Sequence, residues 1–260
     1  MGVWDRQSEM ELDRIVEQVG QRGYSWVHMP FSTQSVRDAM NAFLDFCEMP
    51  KHLKEQCSQP RDERGGYDLG YGFRNRSEEN PDTKEFFHYT PAIAGQLTRE
   101  KPAVQFRNRI EPVFQGCMEM LRDVVQILEV KEPGLGEKLL DEKSPHTLRF
   151  VKYPPHPPGV AYAEGHYDRG VFTFGLYESH PGLWANKTKD PVTYPSGYAC
   201  FFPAIMFDET CKNIKLSKTW HGVDTNGEHL IRPNIARAAM VFFAHTPNQR
   251  PIPPEEARPY

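Results

Sequence analysis

The chain has 260 residues, of which 38% are hydrophobic and 25% are charged, and its formal net charge is −4. This composition is typical of a globular protein of one large or two small domains, and the lack of a basic excess argues against a nucleic-acid partner. No apolar run approaches the roughly 18 residues that a membrane-spanning helix needs, so we expect no membrane association.

The cysteines and the first residues of the chain bear on its cellular compartment. Five cysteines occur at wide spacings without a Cys-x-x-Cys pair, which disfavours a disulfide framework or a cysteine zinc site. The opening stretch is charged and lacks the apolar segment of a signal peptide. We therefore expect a cytoplasmic protein with reduced thiols.

The first half of the chain has helical periodicity. Ser8 and Glu11 form a capping-box pattern, which predicts a helix that begins there and ends at Gly20 or Gly23. A strand is predicted over 24–29 and a second helix from about Ser32. A short helix should follow Pro50.

A glycine-rich polar stretch, 64–85, is predicted to be a long loop of the kind that binds ligands or covers a site. The next apolar stripe predicts a long helix over about 103–130, and Pro112 should bend it or mark its true start. The second half consists of short β-branched and aromatic runs separated by turn residues, which indicates a sandwich or barrel. The final stretch, 249–260, is proline-rich and is predicted to be a surface extension.

His166 and Asp168 stand two residues apart before an apolar run. On an extended segment, residues i and i+2 face the same side, so the imidazole and the carboxylate project together as two metal ligands would. His221, 55 residues later, lies in an extended segment and is the third candidate. Two histidines and one carboxylate form the facial triad of non-haem Fe(II) oxygenases, which leaves positions for O2 and a chelating cosubstrate.

Together these residues resemble the isopenicillin N synthase-like family of Fe(II)/2-oxoglutarate-dependent dioxygenases. His166, Asp168 and His221 match its H-x-D…H ligands, Arg237 matches the arginine that binds 2-oxoglutarate, and Tyr153 in "KYPP" matches its tyrosine. Ala239 replaces the serine of the family's R-x-S motif and removes one hydroxyl contact to the cosubstrate. Similar segments extend over about residues 10–250.

The resemblance implies a fold and a reaction. We expect a mainly β protein with helices, whose core is a distorted double-stranded β-helix (jelly-roll) with an N-terminal helical portion packed on it. The whole chain, 1–260, would be one oxygenase domain: a mainly helical portion and lid loop at 1–145, the jelly-roll core with its iron site at 146–248, and the tail at 249–260.

The implied cofactor is Fe(II), with 2-oxoglutarate as cosubstrate and O2 as oxidant. The implied reaction is hydroxylation, desaturation or cyclisation of a small molecule in specialised metabolism, with release of succinate and CO2. Asp168 disfavours halogenation, because related halogenases have glycine or alanine at that position. Two alternatives stay open: an iron oxidase of the same family that uses no 2-oxoglutarate, and a non-enzymatic jelly-roll that binds a ligand.

Arginines near the expected site suit a carboxylate-bearing substrate. The candidate substrate residues are Tyr71, Phe73, Arg74, Arg76 and Arg149. Each charged member has an ordinary alternative as a solvated group or half of an ion pair.

Overall fold

A computed structural model describes residues 3–59, 69–75, 82–155, 161–193, 195–224 and 236–259. The helices are α1 (Val3–Arg22), α2 (Thr33–Cys47), α3 (Lys51–Glu55), α4 (Lys101–Leu128), α5 (Leu135–Leu139), α6 (Phe207–Thr210) and α7 (Pro254–Ala257), with a 3₁₀ helix at Pro91–Gln96. The strands are β1 (Ser25–His28), β2 (Ser58–Gln59), β3 (Leu69–Arg74), β4 (Lys84–Tyr89), β5 (Thr147–Tyr153), β6 (Ala163–His166), β7 (Phe172–Glu178), β8 (Leu183–Ala185), β9 (Asp190–Pro191), β10 (Tyr198–Pro203), β11 (His221–Val223) and β12 (Arg237–Ala244).

Two antiparallel sheets form the core. The larger has eight strands in the order β1-β10-β7-β12-β5-β4-β3-β2, and the smaller has four in the order β6-β11-β8-β9. Side chains of both sheets pack together in one buried cluster, so the sheets face each other as in a jelly-roll. The predicted fold class, mainly β with helices around a jelly-roll core, is confirmed.

The helices cover the outer face of the large sheet. Ser32 caps α2 by accepting a hydrogen bond from the Ser35 backbone N–H, and the buried face of this helix meets α4 and the sheet. Phe106 of α4 and Phe150 of β5, for example, have ring centroids 5.0 Å apart. Because strand side chains alternate between faces, the residues that alternate with these core positions point into the space between the two sheets. Within the described ranges, no helix combines the length and the apolar character that crossing a membrane requires.

One helix prediction was wrong in detail, and one of the two alternatives for Pro112 is excluded. α1 begins at Val3, so Ser8 lies inside the helix instead of capping it. α4 runs without interruption through Pro112, which therefore does not mark its start. Helix starts are poorly defined by local sequence, because packing of the apolar stripe can extend a helix past a cap pattern.

The predicted loop at 64–85 contains regular structure, so that prediction was also wrong. β3 occupies Leu69–Arg74 and β4 begins at Lys84, and together they extend the large sheet. Gly72 permits this pairing, because a Cβ there would lie 2.2 Å from the Phe86 ring. Gly72, which the sequence suggested was part of a loop, therefore leaves room for the Phe86 ring of the neighbouring strand.

Candidate metal centre

Strand pairing brings the three predicted metal ligands together. His166 ends β6 and His221 begins β11, and the two residues are directly paired across these antiparallel strands. Their ring centroids are 4.5 Å apart. Asp168 follows in the turn that leads to β7, and one potential ligand atom from each of the three residues lies within 4.8 Å of the other two.

The ligand atoms converge on one point. The Nε2 atom of His166 is 3.6 Å from Oδ1 of Asp168, and Nε2 of His221 is 3.4 Å from Oδ2 of the same carboxylate. Three ligands at about 2.1 Å from an ion, at right angles to each other, lie about 3 Å apart, so the ligand atoms would move inward from their present separations, none of which exceeds 4.8 Å. One divalent ion with open positions fits this arrangement.

Hydrogen bonds fix both imidazoles in the tautomer that a metal requires. Nδ1 of His166 donates to the Glu164 carbonyl at 2.7 Å, and Nδ1 of His221 donates to the Thr219 carbonyl at 3.1 Å. A carbonyl can only accept, so Nδ1 carries the hydrogen and the Nε2 lone pair faces the site. The donor set, two neutral imidazoles and one carboxylate, therefore fits Fe(II).

The electrostatics of the site keep His221 and Asp168 in metal-binding protonation states. Burial lowers the pKa of His221 to about 4, so its imidazole is neutral at neutral pH. Burial alone would raise the pKa of Asp168, but the two imidazoles and a hydrogen bond from Thr173 Oγ1 at 2.8 Å lower it overall. Asp168 is thus ionised and accepts from a fixed donor.

Arg237 lies opposite Tyr153 in the β12–β5 pairing, on the face that points toward the small sheet. Its guanidinium is buried, 6.0 Å from the centroid of the Tyr153 ring. Burial raises the pKa of Tyr153 to about 12, so the phenol stays a hydrogen-bond donor. A guanidinium and a phenol so placed could both donate to a carboxylate ligand, and Ala239 adds no hydroxyl beside them.

The sequence did not indicate that Arg237 already has an anionic partner. Its Nη2 atom forms a buried ion pair with Glu178, and its Nε atom donates to the His180 carbonyl at 3.2 Å. Burial raises the pKa of Glu178, and the arginine partly offsets that rise. Arginine on an apolar strand needs an acid nearby, but only the folded strands identify Glu178 as that acid.

The candidate substrate residues separate into two groups. Arg149 and Arg74 lie on the inner face of the large sheet: Arg149 Nε donates to His88 Nε2 at 2.8 Å, and the Arg74 guanidinium lies 5.3 Å from the Phe86 ring centroid. Tyr71 and Phe73 lie on the opposite face of β3.

Tyr71 packs in the helix-side core and Phe73 is 50% exposed, so neither faces the metal ligands and these two assignments were wrong. Arg76 is outside the described residues.

A buried acid–base pair beside the site was also missed. Asp82 forms an ion pair with Lys84. Burial alone would raise the pKa of Asp82, but Lys84, with weaker contributions from Arg258 and His166, lowers it overall. Asp82 is only 4% exposed, and its Oδ1 atom has no hydrogen-bond partner within the described part of the chain. An unsatisfied buried acceptor of this kind is a place where a ligand or water donates.

Comparison with known proteins identifies the fold. No protein-family model matches the sequence, and no curated protein matches it. A full-length Neurospora crassa protein solved in complex with alpha-KG is similar in structure, with a TM-score of 0.71 at 16% identity over 96% of this chain and 86% of that chain.

Two further solved structures are similar. AtDAO1, the dioxygenase for auxin oxidation 1 of Arabidopsis thaliana, bound to 2-oxoglutarate, has a TM-score of 0.69 at 17% identity over 96% of this chain and 93% of its own. JOX2 in complex with 2OG, Fe and JA has a TM-score of 0.71 at 20% identity over 95% and 74% of the two chains. The chain therefore shares the fold of these 2-oxoglutarate-binding proteins, and membership of the isopenicillin N synthase-like family stays a prediction.

Proposed function

We propose that this protein is an Fe(II)- and 2-oxoglutarate-dependent oxygenase that oxidises a small molecule. The convergence of His166 Nε2, His221 Nε2 and the Asp168 carboxylate carries the proposal, because each imidazole is held in the required tautomer by a backbone carbonyl. When bound, Fe(II) supplies O2 activation coupled to oxidation of 2-oxoglutarate to succinate and CO2. The outcome, hydroxylation, desaturation or cyclisation, depends on the substrate.

The protein's own groups would bind and orient the cosubstrate. Arg237 and Tyr153 are neighbours on the inner face of the sheet that faces the metal ligands, and both are buried. A guanidinium and a phenol O–H are the donors that suit the distal carboxylate of 2-oxoglutarate. Burial strengthens these contacts and excludes water from the cosubstrate.

We infer that the substrate carries an anionic group. Arg74 and Arg149 lie on the inner face, which supports a substrate with a carboxylate or another anionic group. Asp82 Oδ1 would accept from a neutral N–H or O–H of the same molecule, since its charge is already balanced by Lys84. A role in specialised metabolism remains an expectation from the family resemblance, and the five free, buried thiols support a cytoplasmic location.

The second candidate, an iron oxidase that uses no 2-oxoglutarate, is favoured by two observations. Glu178 already neutralises Arg237, and Ala239 offers no hydroxyl to the distal carboxylate. Such an oxidase would bind Fe(II) and consume O2 without forming succinate.

The test is succinate formation by the purified protein with Fe(II), 2-oxoglutarate and air. We expect slow, uncoupled succinate release that is abolished in His166→Ala and retained in His28→Ala, a change at an exposed histidine of the edge strand β1. Small carboxylates that serve as substrates should accelerate the release, and Arg149→Leu should remove that acceleration. O2 consumption without succinate would favour the second candidate, and neither activity with any compound would contradict both.

A further inference from the structure

The C-terminal segment packs against the metal centre. This segment, residues 249–257, is called the strap here; it follows β12 and includes α7. Ile252 and Ala257 are each only 6% exposed, and Arg250 forms ion pairs with Glu209 and Glu256. The strap therefore lies on the surface as expected, but two of its apolar side chains anchor it in the core.

The turn that carries Asp168 is held partly by the β core. The carbonyl of Asp168 accepts from the Ile205 N–H at 2.9 Å, and the carbonyl of Gly170 accepts from the Met206 N–H at 2.9 Å. These bonds fix one side of the turn. The backbone groups on either side of the metal-binding carboxylate, at residues 167 and 169, need partners of their own.

The strap supplies both of those partners. The backbone N–H of Tyr167 donates to the Ala257 carbonyl at 2.9 Å, and the side-chain amide of Gln249 donates to the Arg169 carbonyl at 2.6 Å. Asp168 thus lies between two residues whose backbones are tied to the strap. A shift of the strap would therefore move the chain on both sides of the metal-binding carboxylate.

Gln249 is itself fixed on its other side. Its Oε1 atom accepts a hydrogen bond from Nδ1 of His245 at 2.9 Å, and His245 is buried just after the end of β12. The Arg169 carbonyl can only accept, so the orientation of the amide is determined: nitrogen toward Arg169 and oxygen toward His245. Gln249 therefore connects the large sheet to the metal-binding turn through two directional bonds.

We propose that Gln249 is a positioning residue for the metal centre, and that the strap holds Asp168 in the geometry of a metal ligand. This inference rests on the metal site of the proposed function. Groups that orient metal ligands typically contribute a factor of about 10 to 100 in metal affinity. Without the two hydrogen bonds of Gln249, the turn can move. Metal binding then has to fix the Asp168 carboxylate in place, and this entropic cost lowers the metal affinity.

The test is Co(II) binding, followed by the visible absorption of the bound ion, in wild type and in Gln249→Leu. We expect about tenfold weaker Co(II) affinity in Gln249→Leu. Gln34→Leu is the matched control, because Gln34 is an exposed glutamine whose amide donates to Asp38 on the same helix. Equal affinity in wild type and Gln249→Leu would overturn the inference, whereas failure of wild type to bind Co(II) would contradict the proposed function instead.

Hydrogen exchange without metal gives an independent readout. In Gln249→Leu, amide exchange should accelerate in peptides covering 163–170 and stay unchanged in peptides covering β7. The β7 peptides are the control, because a general loss of stability would accelerate exchange there as well. Should the leucine variant not fold, Gln249→Asn keeps an amide that is one methylene too short to reach both partners, and the same result is expected. Unchanged exchange in 163–170 would overturn the inference.

Discussion

Glu178→Gln should tighten 2-oxoglutarate binding, although it removes a buried charge. In the wild-type protein Nη2 and Nε of Arg237 are taken by Glu178 and the His180 carbonyl, while Nη1 has no acceptor among the described residues. The distal carboxylate of 2-oxoglutarate would therefore share one guanidinium with the Glu178 carboxylate. Glutamine keeps an acceptor for Nη2 but removes the negative charge.

The magnitude follows from the geometry of one guanidinium between two carboxylates. Two carboxylates on opposite edges of a guanidinium are about 6 Å apart, which corresponds to a repulsion of about 3 kcal/mol at an effective dielectric constant of about 20. Removing it should lower the Kd for 2-oxoglutarate by a factor of about 10 to 100. The ligand-free protein should lose about 3 kcal/mol of stability, because a buried guanidinium is left without its counterion.

The assay is an anaerobic titration of the Fe(II) protein with 2-oxoglutarate, followed by visible charge-transfer absorption, together with thermal unfolding at each ligand concentration. Glu85→Gln is the matched control: it breaks the buried ion pair with Lys54 on the opposite face of β4, so it should destabilise the protein without changing the Kd. An unchanged or higher Kd in Glu178→Gln would refute the reasoning and favour a site that does not bind 2-oxoglutarate through Arg237.

Three further predictions concern single side chains. Tyr153→Phe should weaken 2-oxoglutarate binding about tenfold, as expected for one lost hydrogen bond to a charged group. The Kd is measured by titration calorimetry, and an unchanged value would contradict this prediction. Thr173→Val removes the hydroxyl that donates to Asp168 and should weaken Co(II) binding about tenfold. Equal Co(II) affinities in the variant and the wild type would argue against this role. Burial lowers the pKa of His146 from about 6.5 in the unfolded chain to about 4 in the folded protein. Between these pH values, unfolding therefore takes up a proton. The contribution of His146 to the free energy of unfolding is fully present above pH 6.5 and falls as the pH drops toward 4. His146→Gln should reduce this slope in urea titrations by up to about 1.4 kcal/mol per pH unit, and an unchanged slope would exclude His146 as its source.

The metal ligands were predictable because their geometry is mostly local. His166 and Asp168 are separated by one residue, and the period of an extended chain places them on one side. His221 needed one further fact, the pairing of β11 with β6, which the strand-like character of both segments suggested. Arg237 and Tyr153 came from the family resemblance, and the structure places them as cross-strand neighbours on two apolar strands.

The remaining features depend on contacts that no local pattern encodes. Tyr71 and Phe73 were assigned to the site because they lie in a glycine-rich stretch, but alternation along β3 turns both away from the metal ligands. Asp82 and Gln249 are ordinary polar residues in sequence. Their roles arise from a buried position beside Lys84 and from a strap that returns to the metal-binding turn, both of which follow from the tertiary fold.

The ion pair at Arg237 and the alanine at position 239 are linked by strand register. Ala239 is directly opposite Glu178 in the β12–β7 pairing, next to the register shift between Met240 and Val241. A serine at 239 would therefore meet the Glu178 carboxylate and donate to it, instead of reaching the cosubstrate. We expect Ala239→Ser to leave the Kd for 2-oxoglutarate within about twofold in the wild-type background and to lower it about fivefold to tenfold when Glu178 is also replaced by glutamine. The double-mutant cycle by anaerobic titration measures this coupling, and additive effects of the two changes would show that the alanine is unrelated to the acid across the strand.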